Sequence, residues 1–243
     1  MENEFAPCTE AQREAVLERL AVIRETIREA CRVSGRAESE VTLMAVTKTV
    51  APELINLAFD SGVRVLGENR VQEFLAKRPF YRPEAEVQFI GHLQTNKVKQ
   101  IADKVTLIHS VDSLHLAEAI SKAAAHCGSV MPILLEVNIG GELSKSGVSP
   151  QELPALLEAV QKLPAVRVDG LMTIPPPMTE ESAQMRTFSE MYRLYDKMQR
   201  YAPMHTLSMG MSGDYAAAIR CGATIVRIGS GLFGARYYPP KTD

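Results

Sequence analysis

The chain has 243 residues, of which 46% are hydrophobic and 23% are charged, a composition typical of a globular protein with a sizeable core. The formal net charge of −2 gives no general attraction to nucleic acid or to anionic membranes. The four cysteines are widely scattered and form no CxxC pair, which argues against a disulfide framework or a zinc site. The N-terminus is acidic and lacks an apolar signal core, and no apolar run reaches membrane-spanning length. We therefore expect a cytoplasmic protein with a small-molecule partner.

The first predicted element is a long helix near the N-terminus. Thr9 and Gln12 have the spacing of a capping box, in which the side chain of each residue accepts a hydrogen bond from the backbone of the other. Hydrophobic residues then recur at steps of three or four, from Val16 to Cys31. Gly35 is a suitable end for this helix because glycine readily adopts the left-handed conformation of a C-terminal cap.

Eight short β-rich segments follow, separated by helical ones. They begin at Val41, Val63, Val87, Thr106, Pro132, Val166, His205 and Thr224. Strands that alternate with helices favour a parallel sheet, and eight is the number that closes a (β/α)8 TIM barrel. We predict a single α/β domain over residues 1–243, a TIM barrel with an extra long N-terminal helix. A doubly wound open sheet fits the same alternation and is the alternative.

The helical segments between the strands carry their own boundary signals. One begins at Pro52, and another runs from a Ser113 cap to Gly128. A third begins in the same way at Ser149. The longest after the first helix is "EESAQMRTFSEMYRLYDKMQRY", residues 180–201.

Unusual polar and glycine residues collect where the predicted strands end. They are Lys48 and the segments "GENR" (67–70), "GHLQTNK" (91–97), "GGELSKSG" (140–147), "MGMSGD" (209–214) and "GSGLFGAR" (229–236). In an α/β barrel the loops after the strands form the functional face. The same residue types also serve as ordinary turn residues, but their presence at nearly every strand end favours a functional site.

Two of these loops predict a phosphate site. Residues 212–214 open a short helix, with Ser212 as a natural N-cap, and residues 229–231 precede another helical stretch. Glycine lets the backbone approach an anion closely, and a serine hydroxyl adds a donor. Barrels commonly bind phosphate with the loops after strands seven and eight, which are these two loops.

Lys48 lies at the end of the first predicted strand, next to the eighth in a closed barrel. The period of a strand puts Met44, Val46 and Lys48 on one face, so an inward phase brings the amine to the barrel mouth. Burial there lowers the pKa of an amine and favours attack on a carbonyl. A phosphate site and a reactive lysine fit a sugar-phosphate aldolase or a pyridoxal phosphate protein. Arg227 shares a face with Gly229 and favours the second, because it could donate to a pyridine nitrogen.

Six motifs resemble the signature blocks of the pyridoxal phosphate homeostasis protein family, which is related to the barrel of alanine racemase. They are "AVTKT", "GENRVQE", "FIGHLQTNK", "VNIGGELSKSG", "LSMGMSGDYAAAI" and "TIVRIGSGLFGAR", spread over residues 45–236. Thr95 replaces an expected serine, and "GSG" replaces a commoner "GTA". Both changes keep a hydroxyl group.

The resemblance implies a fold-type III pyridoxal phosphate barrel in which Lys48 holds the cofactor as an aldimine. It implies phosphate binding by Ser212, Gly229 and Ser230, an Asn69 close to the cofactor, and an Arg227 that faces the ring nitrogen. The complete set of expected cofactor-binding residues is Lys48, Asn69, Ser208, Met211, Ser212, Gly213, Arg227, Gly229 and Ser230.

The resemblance also implies a function in cofactor homeostasis. Racemases of this fold type carry a C-terminal β-domain that supplies a second acid/base, and this chain is expected to lack it. We therefore expect a monomeric carrier or buffer of pyridoxal 5′-phosphate, without robust catalytic activity, that can pass the cofactor to apo pyridoxal enzymes. A small pyridoxal phosphate-dependent amino-acid racemase is the alternative.

Several other residues receive less specific interpretations. We expect His92 to be a hydrogen-bonded structural histidine at a strand end, and Tyr237 and Tyr238 to be packing residues. Lys145 is either a solvated loop cation or a temporary amine for cofactor that enters or leaves. No histidine pair has the spacing of zinc ligands.

Overall fold

A computed structural model describes residues 8–142 and 145–234 of the chain. Eight parallel strands pair in chain order, and β1 pairs with β8, so the sheet closes into a barrel. The strands are β1 Thr42–Val46, β2 Val65–Glu68, β3 Glu86–Phe89, β4 Leu107–Val111, β5 Met131–Glu136, β6 Val166–Met172, β7 Thr206–Met211 and β8 Ile225–Ile228. The predicted TIM barrel is confirmed, and the open doubly wound sheet is excluded.

Helices follow the strands and surround the barrel. Within the described ranges they are α1 Glu10–Ser34, α2 Pro52–Asp60, α3 Val71–Lys77, α4 Val98–Ile101, α5 Leu114–His126, α6 Leu153–Val160, α7 Glu181–Met198, α8 Tyr215–Arg220 and α9 Ser230–Phe233. None of these helices combines the length and the apolar character that a bilayer crossing requires.

Helix α1 has the predicted boundaries. The Thr9 hydroxyl accepts the Gln12 N–H at 3.2 Å, the Gln12 side chain accepts the Thr9 N–H at 2.8 Å, and Gly35 has φ 68°. The predicted face from Val16 to Cys31 is buried. It packs against α8, α9 and α2, next to the strands that form the β8–β1 seam of the barrel.

Hydrophobic side chains form two layers, one on each side of the sheet. The larger layer fills the space between the barrel and its helices. The inner one includes Met44 and Val46 of β1 in contact with Val65, Ile90 and Ile225. Alternate residues of β1, Met44 and Val46 among them, therefore face the barrel interior, which is the phase that would bring Lys48 to the barrel mouth.

Two predicted helix caps are wrong. Ser149 caps a turn, because its hydroxyl accepts the Glu152 N–H at 3.3 Å, and α6 begins only at Leu153. Pro154 explains the delay, since a proline that lacks an N–H belongs in the first turn of a helix. Ser212 does not cap α8 either. Helix α8 begins at Tyr215, with Asp214 as its N-terminal flanking residue.

Candidate functional site

The loops after β7 and β8 are joined through Ser212. Its hydroxyl oxygen accepts the Gly231 N–H at 3.0 Å and lies 3.5 Å from the Ser230 hydroxyl. A Cβ on residue 231 would lie 3.1 Å from the Ser212 hydroxyl, so glycine allows this close approach. Ser230 and Gly213 are exposed, so the joined loops present hydroxyl and backbone groups at the barrel mouth. The structure thus brings together the residues of the predicted phosphate site.

The turn after β7 is shaped by Gly210 and Asp214. Gly210 has φ 92°, a left-handed conformation, at a register shift between β7 and β8. The Asp214 carboxylate accepts the Met211 N–H at 2.6 Å. Burial raises the pKa of this carboxyl group, while the Met211 hydrogen bond and the charge of Arg227 act in the opposite direction. Asp214 therefore fixes the turn that carries Ser212.

Arg227 lies inside the barrel and is 3% exposed. Its Nη1 donates to the Ser208 hydroxyl at 2.8 Å, and its Nη2 donates to the Thr173 carbonyl at 2.9 Å. The Ser208 hydroxyl also lies 3.0 Å from Nδ1 of His109, and His109 Nε2 lies 2.6 Å from Oε1 of Gln88. A continuous polar chain thus crosses the barrel interior from β8 to β3.

Hydrogen-bond donors and acceptors give this chain one direction. Nε2 of Gln88 donates to Oε1 of Glu86 at 2.7 Å, so the Gln88 oxygen faces His109 and accepts from its Nε2. Nδ1 of His109 is then an acceptor, and the Ser208 hydroxyl donates to it while the Ser208 oxygen accepts from Arg227. The His109 proton is then on Nε2 and is donated to the Gln88 side-chain oxygen. Burial and the nearby Arg227 charge lower the pKa of His109 well below its ordinary value. His109 is therefore a neutral imidazole with a fixed tautomer.

Two carboxyl groups act on Arg227, Glu136 of β5 and Asp214 of the turn after β7. Burial lowers the pKa of Arg227 to about 10, against the opposite effect of Asp214 and Glu136, so the guanidinium remains charged at neutral pH. Burial and the nearby Asp112 raise the pKa of Glu136 to about 7, while Arg227 acts to lower it. The barrel interior thus holds one permanent cation beside a carboxyl group that titrates near neutrality.

Lys48 lies just past the end of β1, as predicted, and is half-buried. β1 and β8 are adjacent, with Met44 opposite Arg227, and a Cβ on Gly229 would lie 3.4 Å from Cβ of Val46. The segment that carries Lys48 therefore continues next to the 229–231 loop. The predicted lysine and the predicted phosphate loops meet at the same end of the barrel.

Asn69 follows β2 at this end of the barrel. Its side-chain oxygen is buried and has no hydrogen-bond partner among the described residues. A Cβ on Gly91 would lie 2.1 Å from the Asn69 carbonyl, so the backbones after β2 and β3 touch. A cavity of about 520 Å³ opens beside Asn69, with Arg70, His92 and Lys97 in its wall. An orphaned buried acceptor at a strand end is a position that a ligand can satisfy.

Other sequence expectations have mixed outcomes. The hydrogen-bonded structural role predicted for His92 is wrong, because His92 is exposed and lines that cavity. Lys145 is exposed, in a turn where its N–H donates to the Glu142 carbonyl at 3.1 Å. Tyr237 and Tyr238 lie outside the described residues. Across the described ranges, no three His, Cys, Asp or Glu side chains cluster as a metal site would require.

The sequence reasoning missed His109 and Gln88. Neither residue was assigned a role from the sequence. The available signal was the strand period, since Leu107 and His109 alternate along β4 and share the inward face. A histidine in that phase lies in the barrel interior and needs hydrogen-bond partners there.

Comparison with known proteins agrees with the barrel fold. Residues 19–237 match the family described as alanine racemase, N-terminal domain. A solved structure of PipY from Synechococcus elongatus, with PLP bound, has a TM-score of 0.78 and 33% identity, over 90% of this chain and all of that one. An alanine racemase from Clostridium difficile has a TM-score of 0.72 at 19% identity, over 94% of this chain and 58% of its own, and shares the barrel fold.

Two further relatives have a higher sequence identity to this chain. A protein of Aquifex aeolicus named pyridoxal phosphate homeostasis protein is 47% identical over 224 residues, which are 91% of this chain and 98% of the relative. A protein of Pseudomonas aeruginosa with the same name is 42% identical over 230 residues, 92% of this chain and 96% of the relative. The chain belongs to the pyridoxal phosphate homeostasis protein family.

Proposed function

We propose that this chain binds pyridoxal 5′-phosphate and acts in intracellular homeostasis of that cofactor, as a carrier and buffer. The names of its relatives and the PLP-bound PipY structure support this function. The observation that carries the proposal is the convergence of three features at one end of the barrel. These are the Lys48 segment, the serine loops joined through Ser212, and the buried cation of Arg227.

The side chains at this end fit the groups of the cofactor. Ser212 and Ser230 offer hydroxyl donors to a phosphate, and Gly213 and Gly229 allow its close approach to the backbone. The orphaned oxygen of Asn69 offers an acceptor beside the ring.

Four further residues complete the proposed set. Arg227 would donate toward the ring nitrogen, Ser208 holds Arg227 in place, and Met211 lies opposite Arg227 at the end of β7. Lys48 attaches the cofactor through its amine.

Arg227 also limits the chemistry that a bound cofactor would support. When bound, pyridoxal phosphate supplies an electron sink whose strength depends on the protonation of its ring nitrogen. Arg227 has only N–H donors and accepts no proton, so it leaves the ring nitrogen unprotonated. A weak sink disfavours carbanion chemistry on amino acids and suits storage.

A transfer experiment tests the carrier function. Protein loaded with pyridoxal 5′-phosphate is mixed with an apo pyridoxal enzyme in the presence of an amine that scavenges the free cofactor. We expect the apo enzyme to gain activity faster than with the same amount of free cofactor. Lys48→Ala should give no such advantage. If free cofactor reactivates the enzyme equally well under the scavenger, the carrier function is refuted.

We further propose that residues 1–243 form one domain that acts as a monomer in the cytoplasm. Light scattering on the purified chain should give the mass of one copy, 26.7 kDa. A dimer mass would contradict the monomer, and recovery in a membrane or periplasmic fraction of cells would contradict the location.

A further inference from the structure

A second buried lysine lies behind the segment that carries Lys48. Lys77, the last residue of α3, is 1% exposed. Its Nζ donates to the Thr47 carbonyl at 2.8 Å and to Oε1 of Glu73 at 2.9 Å, and it lies 3.2 Å from Oε1 of Glu68. These three oxygen atoms match the three donors of an ammonium group. Lys77 is thus a structural cation at the centre of a polar cluster.

The two carboxylates of this cluster also bind the residues on either side of Lys48. Oε1 of Glu68 accepts the Thr47 hydroxyl at 2.7 Å and the Tyr81 hydroxyl. Oε1 of Glu73 accepts the Thr49 N–H at 2.5 Å. Glu68 is fully buried. One oxygen of Glu73 accepts hydrogen bonds from both the Lys77 amine and the Thr49 N–H.

The backbone around Lys48 is held in an unusual conformation. Thr49 has φ 61°, and a β-branched residue rarely adopts this left-handed region. Such strain persists where the surrounding contacts over-determine the conformation. Here the Thr47 carbonyl and the Thr49 N–H, on opposite sides of Lys48, are both bonded to the Lys77 cluster.

We propose that Lys77, with Glu68 and Glu73, is a positioning unit for Lys48. It fixes the turn 47–49 so that the Lys48 amine points to the aldehyde of a cofactor whose phosphate occupies the serine loops. The inference rests on the proposed attachment at Lys48, which forms a carbon–nitrogen double bond and releases one water. Lys77 itself takes no part in that bond, because its donors are occupied and its side chain is buried.

The role predicts a selective loss of covalent binding. The test compares the affinity for pyridoxal 5′-phosphate with that for 4-deoxypyridoxine 5′-phosphate, which lacks the aldehyde and uses only the non-covalent site. Lys77→Met removes the charge and the donors while it keeps a side chain of similar length. We expect it to weaken pyridoxal 5′-phosphate at least about tenfold, equivalent to 1.4 kcal/mol. The affinity for the deoxy analogue should stay within about twofold, below 0.5 kcal/mol.

A control separates positioning from general loss of stability. Leu157→Ala truncates a fully buried side chain of α6, on the far side of the barrel, and should leave the ratio of the two affinities unchanged. If Lys77→Met leaves the ratio of the two affinities unchanged, including when both affinities fall equally, the proposal is overturned.

A second variant decides the question if Lys77→Met does not fold. Glu73 is partly exposed, so Glu73→Ala should fold, and it removes the acceptor of the Thr49 N–H. We expect Glu73→Ala, like Lys77→Met, to weaken binding of pyridoxal 5′-phosphate more than binding of the deoxy analogue. If the ratio of the two affinities is unchanged, the proposal is overturned. If the wild-type chain binds both ligands equally, the attachment at Lys48 and the positioning role fail together, whereas binding of neither ligand would refute the proposed function itself.

Discussion

Ser208→Ala tests the polar chain inside the barrel. The Ser208 hydroxyl is fully buried and bridges the Arg227 guanidinium and the His109 ring, with distances of 2.8 and 3.0 Å. The substitution removes a single oxygen atom, so it changes little in packing. It leaves one charged donor and one imidazole acceptor without their partner.

The expected magnitude follows from these two orphaned groups. An unsatisfied buried polar group costs about 1–3 kcal/mol, and more when it is charged. We therefore expect Ser208→Ala to lower the free energy of unfolding by about 3 kcal/mol. Ser121 provides a matched control, because its buried hydroxyl accepts the Ala165 N–H at 3.2 Å and makes no other hydrogen bond within the described ranges. Ser121→Ala leaves one neutral donor and should cost about 1 kcal/mol.

Urea unfolding of both variants without cofactor measures these losses. Nitrogen NMR of His109 provides a second readout, since the proton is expected on Nε2 in the wild-type chain. A loss in Ser208→Ala no larger than in Ser121→Ala would refute the reasoning. A proton on Nδ1 of His109 would refute the direction of the chain.

Three further predictions concern the charge and ligand chemistry of the site. Folding raises the pKa of Glu136 from an ordinary 4.5 to about 7. Between these two pH values the native state binds more protons than the unfolded state, so the stability of the fold should fall as the pH rises from 4.5 to about 7. Urea unfolding of the apo chain should show that Glu136→Gln, which cannot ionise, removes roughly 3 kcal/mol of this fall, and an unchanged pH profile would contradict it. Pyridoxal without phosphate should bind at least about 100-fold more weakly than pyridoxal 5′-phosphate in a fluorescence titration, because it lacks the charge-assisted bonds to Ser212 and Ser230, and equal affinities would show that the phosphate loops are misassigned. Amino acids incubated with the loaded protein in heavy water should take up negligible deuterium at the α-carbon, because Arg227 leaves the ring nitrogen unprotonated, whereas uptake at about 1–10³ per second would favour the racemase.

The fold was predictable because each helix or strand buries one face, and that face sets the spacing of its hydrophobic residues. Helix α1 shows this clearly, since the spacing from Val16 to Cys31 fits one buried face and the Thr9 box fixes its start. In β1 the strand period put Met44, Val46 and Lys48 on one face, and the structure shows that Met44 and Val46 face inward. These signals act over a few residues along the chain, so a single sequence contains them.

The rest of the site depends on contacts between distant residues. Ser212 resembles a helix cap locally, but its hydroxyl accepts a hydrogen bond from the Gly231 N–H on the next loop. Lys77 lies in a segment with no unusual local feature, and only the packing of α3 on the barrel brings it to Thr47, 30 positions earlier. His109 acquires its role from Ser208, 99 positions later. The strand period could place His109 in the barrel interior, but no local pattern identifies the distant partner of any of these residues.

Attachment of pyridoxal 5′-phosphate to Lys48 is the central claim, and borohydride reduction tests it directly. The loaded protein is reduced, digested and mapped by mass spectrometry. We predict that the pyridoxyl group is found on the peptide that contains Lys48, and that Lys48→Ala abolishes this labelling while phosphate-dependent binding persists. A label found mainly on Lys97 or Lys145, or retained in full by Lys48→Ala, would contradict the account.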